Sequence, residues 1–118
     1  MADAEKAKGN EFFKAGDFKQ AIEHFSNAIN ILPSHVHYSN RSACFCSLKE
    51  YGDALTDAEL CIKLNPSWGK GYGRKGAALH GMGQFEDAIK AYQEGLKVEP
   101  GLAMLTNGLA DAKKELSQ

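Results

Sequence analysis

Among the 118 residues, the side chains whose type and spacing best suit chemistry are Lys6 with Asn10, Lys70 with Arg74, and Asn40 between the two pairs. On an α-helix, residues four apart are separated by about 6 Å of rise and lie nearly in angular register, so each pair projects from one face. Lys and Arg offer charge-assisted hydrogen bonds, and Asn adds an amide N–H without a further charge. Two cations flanking two amides suit an anion that carries two neighbouring carboxylates; a lone carboxylate would leave donors idle. Catalysis is a poorer fit, because no Ser/His/Asp, Cys/His or paired-carboxylate constellation accompanies these residues.

The elements that must bring the five together are given by an internal repeat, which recurs after 33 residues and then after 34. Gly9, Ser42 and Gly76 share one column, as do Phe12, Phe45 and Leu79; Phe18, Tyr51 and Phe85; Ala21, Ala54 and Ala88; Phe25, Ala58 and Tyr92; Ala28, Cys61 and Gly95; and Pro33, Pro66 and Pro100. Within each copy the apolar residues have helical period: Ala21, Ile22, Phe25, Ala28 and Ile29 form a single stripe, repeated from Ala54 and again from Ala88. Gly16-Asp17 and Gly83-Gln84 interrupt the pattern midway, and each copy closes at a proline. Asp17 with Gln20 has the form of a capping box. The spacing predicts helices near 2–15, 18–31, 35–48, 52–64, 69–82 and 86–98, and a seventh near 102–117 with Leu102, Leu105, Leu109 and Ala112 on its apolar side. The fold class is all-α, with no strand required.

Composition bounds the rest. A chain of 12.8 kDa with 43% hydrophobic and 25% charged residues and three prolines is one folded domain, neither a disordered tail nor a large multi-domain enzyme. Fourteen Lys and Arg against fifteen Asp and Glu leave a net charge of -1, so no global basic excess holds nucleic acid or an anionic membrane. No apolar stretch reaches the length of a signal core or membrane span, which predicts a cytoplasmic protein. Cys44, Cys46 and Cys61 lack Cys-x-x-Cys spacing and read as reduced thiols in helix packing. No cofactor or metal is called for.

The repeat length and columns resemble the tetratricopeptide repeat (TPR), a helix-turn-helix unit that is small at the Gly9 column, aromatic at Phe12, Ala at Ala21 and Pro at Pro33. The resemblance implies a right-handed superhelical solenoid spanning residues 1–118 as one domain, with repeats at about 2–34, 35–68 and 69–101 and a capping helix at about 102–117. First helices would line a groove. Its face would include Ser39, Ala77 and Gly73, and its charged members Lys6, Lys14, Lys70 and Arg74 against Asp3 leave +3. An acidic ligand is expected there.

Position by position, Lys6, Asn10, Asn40, Lys70 and Arg74 match the dicarboxylate clamp of chaperone-binding TPR domains, which implies that they hold the terminal Asp of the Glu-Glu-Val-Asp tails of 70-kDa and 90-kDa heat-shock chaperones. The segments Tyr38-Ser39-Asn40-Arg41-Ser42-Ala43 and Asn65-Pro66-Ser67-Trp68-Gly69-Lys70-Gly71-Tyr72 resemble more narrowly the N-terminal TPR domain of the heat-shock organising (stress-inducible) co-chaperone family. That resemblance favours the 70-kDa tail and implies a monomeric module of a longer co-chaperone. It also implies that Phe13, Ala43 and Cys46 wall the ligand's Val, while Ser47, His80 and Gly81 border residues further from its end; Gly81 stands where some relatives carry a large apolar side chain.

Three other readings are open to the residues. The groove could take the 90-kDa tail as its main ligand, or internal peptide segments, or it could be hydrolytic. Gly71-Tyr72-Gly73-Arg74-Lys75-Gly76 satisfies Gly-x-Gly-x-x-Gly, but no strand precedes it and the repeat register makes it helix. Asn40-Arg41-Ser42 is a glycosylation sequon placed inside a helix. The four histidines are scattered without metal spacing, and Trp68 is expected to pack between repeats.

Overall fold

The computed structural model describes residues 1–118 as seven α-helices: α1 (Ala2–Lys14), α2 (Phe18–Ile31), α3 (His35–Ser47), α4 (Tyr51–Leu64), α5 (Gly69–Gly81), α6 (Phe85–Val98) and α7 (Ala103–Leu116). Each lies within one residue of its sequence-derived bounds at both ends. Two helix starts are capped by side chains: Asp17 accepts from the Gln20 N–H at 3.2 Å and Ser34 from the Val36 N–H at 3.2 Å. Only this half of the Asp17/Gln20 capping box forms, because the Asp17 N–H already donates to the Phe12 carbonyl at 2.9 Å.

That last bond recurs in every unit. Glu50 N–H donates to Phe45 and Gln84 N–H to Leu79, at 2.8 and 2.9 Å, and the residue just before each donor has positive φ: Gly16 at 81°, Lys49 at 62° and Gly83 at 79°. These are helix ends closed through a left-handed residue, the conformation glycine adopts without a Cβ penalty. The Phe12/Phe45/Leu79 column thus receives the closing hydrogen bond. Lys49 takes this conformation where the flanking units use glycine, so the middle turn lacked the punctuation visible in the other two.

Sequentially adjacent helices pack on one another throughout, and α3 with α5, and α5 with α7, also touch directly, giving a stack of 44 × 26 × 21 Å. The second helices bury much of the stripe read from the sequence, Ala21, Phe25, Ala28 and Ile29; Ala54, Ala58 and Cys61; and Ala88, Tyr92 and Gly95, together with Ala91, which the stripe did not include. Helix-to-helix distance within a unit is set by a small residue facing a large one. A Cβ on Gly9 would sit 2.6–2.9 Å from the Phe25 ring, and one on Gly76 would sit 2.5–2.8 Å from the Tyr92 ring. In the middle unit the column residues are Ser42 and Ala58; both are buried, and the Ser42 hydroxyl donates to the Ala54 carbonyl at 2.8 Å. At the C-terminal end α7 buries Leu105 and Ala112 and leaves Lys113 and Lys114 exposed, covering the last unit as its apolar side required.

A polar network crosses the first interface between units. Arg41 donates through Nε and Nη2 to both carboxylate oxygens of Asp57 at 2.8 Å, and through Nη1 to Ser26 at 3.0 Å. Asp57 is 2% exposed, and the guanidinium also lies over the Tyr38 and Phe45 rings. This bidentate pair joins α2, α3 and α4. Trp68 meets His35, at the other end of the middle repeat, edge-to-face at 4.7 Å. No helix is long and apolar enough to cross a membrane.

Two alanine substitutions separate packing from propensity. Gly76→Ala forces a methyl group into the held Tyr92 ring and should lower stability by about 1–3 kcal/mol. Gly52→Ala enters open space in the first turn of α4 and should raise it by about 0.5 kcal/mol. Urea unfolding followed by circular dichroism measures both.

Candidate functional site

The first helices carry the candidate residues, and the structure gathers part of the set into one cavity of about 100 Å³. It is lined by Asn10 and Phe13 of α1, Phe25 of α2, Asn40 and Ala43 of α3, and Arg74 of α5. Three units therefore meet there. Asn10 and Asn40 bring amides from two helices, Arg74 brings the charge from a third, and Phe25, 1% exposed, forms the apolar floor.

Arg74 is the group on which the site turns. Its Nε donates to the Ser39 hydroxyl at 3.1 Å, and it takes part in none of the four ion pairs of the molecule. Burial pushes its pKa below the usual arginine value, with Cys46, Cys61 and Cys44 acting in the opposite sense. Those thiols supply no counter-charge: burial pushes Cys44 up to about 12 and Cys61 up to about 11, and raises Cys46 as well. A half-buried cation with unused N–H donors and no carboxylate partner is an incomplete arrangement that an anion completes.

Of the other expected residues, Phe13 and Ala43 line this cavity, whereas Lys6, Lys70, Cys46, Ser47, His80 and Gly81 are not part of its wall. Lys6 is half-buried on α1, and Lys70, in the first turn of α5, holds its ammonium 5.9 Å from the centre of the Trp68 ring. Phe13 is 38% exposed and meets Phe18 edge-on at 5.4 Å. Cys46 is half-buried close to Arg74; Ser47 is exposed, its hydroxyl bonded back to the Ala43 carbonyl at 3.0 Å. His80 packs edge-to-face on Phe85 at 5.1 Å and lines a different cavity, and a Cβ on Gly81 would run into the Tyr51 ring. Gly73, read from the sequence as part of the groove face, is buried with its Cα hydrogens toward Met104 of α7.

Two contributions were not read from the sequence, which placed Ser39 on the groove face and Phe25 in the core column without linking either to Arg74. Ser39 is fully buried, and only the three-dimensional register between α3 and α5 puts its hydroxyl against Arg74. Phe25 stood in the core column, with nothing to mark that its ring also floors the cavity. The largest cavity, about 450 Å³ between α4, α5 and α6, is rimmed by Glu59, Asp87 and Glu94 as well as Lys75 and Lys90, and includes none of the expected residues. No group of three or more His, Cys, Asp or Glu side chains is arranged to hold a metal ion.

Helical pairs stacked side by side, with a cationic, amide-flanked pocket on the face of their first helices, define an α-solenoid. The tetratricopeptide-repeat family profile matches residues 2–35 and 69–102, and the chain belongs to that family. It is 53% identical over 115 residues to the Hsp70-Hsp90 organizing protein of Triticum aestivum, covering 97% of this chain and 20% of that relative. The chain thus spans about a fifth of that relative's length. Among solved structures it superposes on the first TPR of Spaghetti (RPAP3) bound to the HSP90 peptide SRMEEVD, with a TM-score of 0.91, 33% identity and coverage of 99% of this chain and 96% of that one. It superposes likewise on the second TPR domain of human RPAP3 in complex with the HSP70 peptide SGPTIEEVD, with a TM-score of 0.88, 29% identity and coverage of 95% and 94%.

The two arginines of this domain make opposite stability predictions. Removing the partner of the buried Arg41 pair, Asp57→Ala, should cost about 3–5 kcal/mol. Arg74→Met removes a half-buried charge that lacks a carboxylate partner and should leave the ligand-free domain at least as stable, with a gain of up to about 1 kcal/mol. Urea unfolding midpoints of the two variants against the parent chain check the contrast.

Proposed function

We propose that this domain is a noncatalytic adaptor that receives the C-terminal Glu-Glu-Val-Asp tail of heat-shock chaperones through a dicarboxylate clamp of Lys6, Asn10, Asn40, Lys70 and Arg74. The observation that carries the reading is the unpaired Arg74 guanidinium facing one cavity with the Asn10 and Asn40 amides. A terminal Asp presents a main-chain and a side-chain carboxylate a few ångströms apart, which is the anion this donor set fits. On this reading Lys6, on the same helix as Asn10, and Lys70, on the same helix as Arg74, close the clamp around the bound end. Phe13, Ala43 and Cys46 offer apolar surface to the neighbouring Val, and Ser47, His80 and Gly81 border the residues upstream.

The two solved relatives hold peptides that both end in Glu-Glu-Val-Asp, which supports carrying this ligand class to the present chain. The 70-kDa tail is the partner favoured by the resemblance, with the 90-kDa tail as the alternative. On this reading residues 35–68 form the middle repeat of a single domain within a longer cytoplasmic co-chaperone. An extended tail loses conformational freedom on binding, so the affinity should be about micromolar, or about 8 kcal/mol.

Calorimetry with Ser-Gly-Pro-Thr-Ile-Glu-Glu-Val-Asp and Ser-Arg-Met-Glu-Glu-Val-Asp, each as free acid and C-terminal amide, tests the proposal. Both acids should bind and both amides should lose at least tenfold in affinity, since each charge-assisted contact contributes about 1.5–3 kcal/mol. Lys70→Ala and Arg74→Ala should lose binding while keeping their helical circular dichroism. Equal binding of acid and amide would instead mark recognition of internal sequence.

A further inference from the structure

The cavity around Arg74 has a counterpart of the same construction two units further on. Its lining residues are Ala77 and His80 of α5, Tyr92 of α6, and Gly108 and Asp111 of α7, and its volume is about 230 Å³. Adding 67 to Asn10, Phe13 and Phe25 gives Ala77, His80 and Tyr92, and adding 68 to Asn40 and Ala43 gives Gly108 and Asp111. In both, two residues on the face of a first helix, an aromatic ring from the second helix and two residues of the next helix enclose the space. The equivalence makes α7 act as a fourth first helix and opens the second cavity on the same side as the first.

The chemistry is inverted between the two. The first cavity offers Arg74, Asn10 and Asn40 to an anion, whereas the second has the Asp111 carboxylate, the His80 ring and the Tyr92 phenol. Asp111 is exposed and takes part in none of the ion pairs. Tyr92 is pushed up to about 12, first by burial and further by the Cys46 and Asp111 side chains, so the phenol stays protonated beside the carboxylate. His80 is held edge-on against Phe85.

We propose that the cavity between α5 and α7 is a second subsite of the groove, in which Asp111 pairs with a cationic side chain of the docked tail five or six residues upstream of its terminal carboxylate. This rests on the clamp reading of the first cavity. The separation follows from the stack: two steps between neighbouring first helices cover about 20 Å, which an extended chain spans in about six residues. Of the two peptides held by solved relatives, Ser-Arg-Met-Glu-Glu-Val-Asp has Arg five residues before its end and Ser-Gly-Pro-Thr-Ile-Glu-Glu-Val-Asp has Thr there. The subsite gives the Arg-bearing tail a contact that the other lacks, and so opposes a simple preference for the 70-kDa ligand.

A double-mutant cycle decides it. Affinities of Ser-Arg-Met-Glu-Glu-Val-Asp and of the same peptide with Ala in place of Arg are measured by fluorescence anisotropy at low salt, on the parent chain and on Asp111→Asn. Loss of the Arg should weaken binding to the parent about threefold, the range of an exposed ion pair, and should leave binding to Asp111→Asn unchanged. Equal losses on both proteins, or no loss on the parent, overturn the subsite while the clamp stands. Failure of the Arg-bearing peptide to bind either protein overturns the clamp and the subsite together.

Discussion

Each unit of this stack depends on two helices approaching closely enough that one of the facing residues must be small. Gly9 lies under the Phe25 ring and Gly76 under the Tyr92 ring, so a Cβ at either position has no room. A single unit cannot bury its aromatic column unaided; it does so against the next unit, and α7 does so for the last. The spacing of the first helices, and with it every distance on the functional face, follows from that contact. The Asn10, Asn40 and Arg74 side chains can share one cavity because three units stack at this spacing over the floor formed by Phe25.

The arginines show how one residue type is used in two ways by the same fold. Arg41 is fully matched, with both oxygens of a buried carboxylate, a serine hydroxyl and two aromatic faces around it. It holds units together. Arg74 has a single hydroxyl partner, neutral thiols for neighbours and an open cavity ahead of its remaining donors. Keeping a partly buried charge without a counter-charge costs folding stability, and the cost is offset when a ligand supplies the missing anion. Arg74 is thus the arginine that the fold leaves without a carboxylate partner.

Much of this was legible in the sequence because the repeat writes each constraint three times. Prolines after each second helix, and glycines at two of the three midpoints, placed all seven helices within one residue. Lys49 escaped notice because its left-handed conformation is imposed by the unit's closing hydrogen bonds and leaves no mark in residue type. Asn10, Asn40 and Arg74 were found by spacing along helices, which is local. Ser39 against Arg74, Gly73 beneath Met104 and Arg41 on Asp57 depend on how separate helices register, which no one-dimensional period encodes. Lys6 and Lys70 share the same faces but end outside the cavity wall, since long side chains are placed by their surroundings as much as by their Cα positions.

The central claim is that Asn10, Asn40 and Arg74 act together as one acceptor for a carboxylate-bearing chain end. Side-chain nitrogen resonances report it directly: the Asn10 and Asn40 amide groups and the Arg74 Nε–H can each be assigned and followed by NMR as a Glu-Glu-Val-Asp peptide is added. All three should shift along a common saturation curve, with the Arg74 signal sharpening as its guanidinium is pinned. Saturation of binding with these signals unmoved, and shifts confined to residues around the cavity between α4, α5 and α6, would contradict the account.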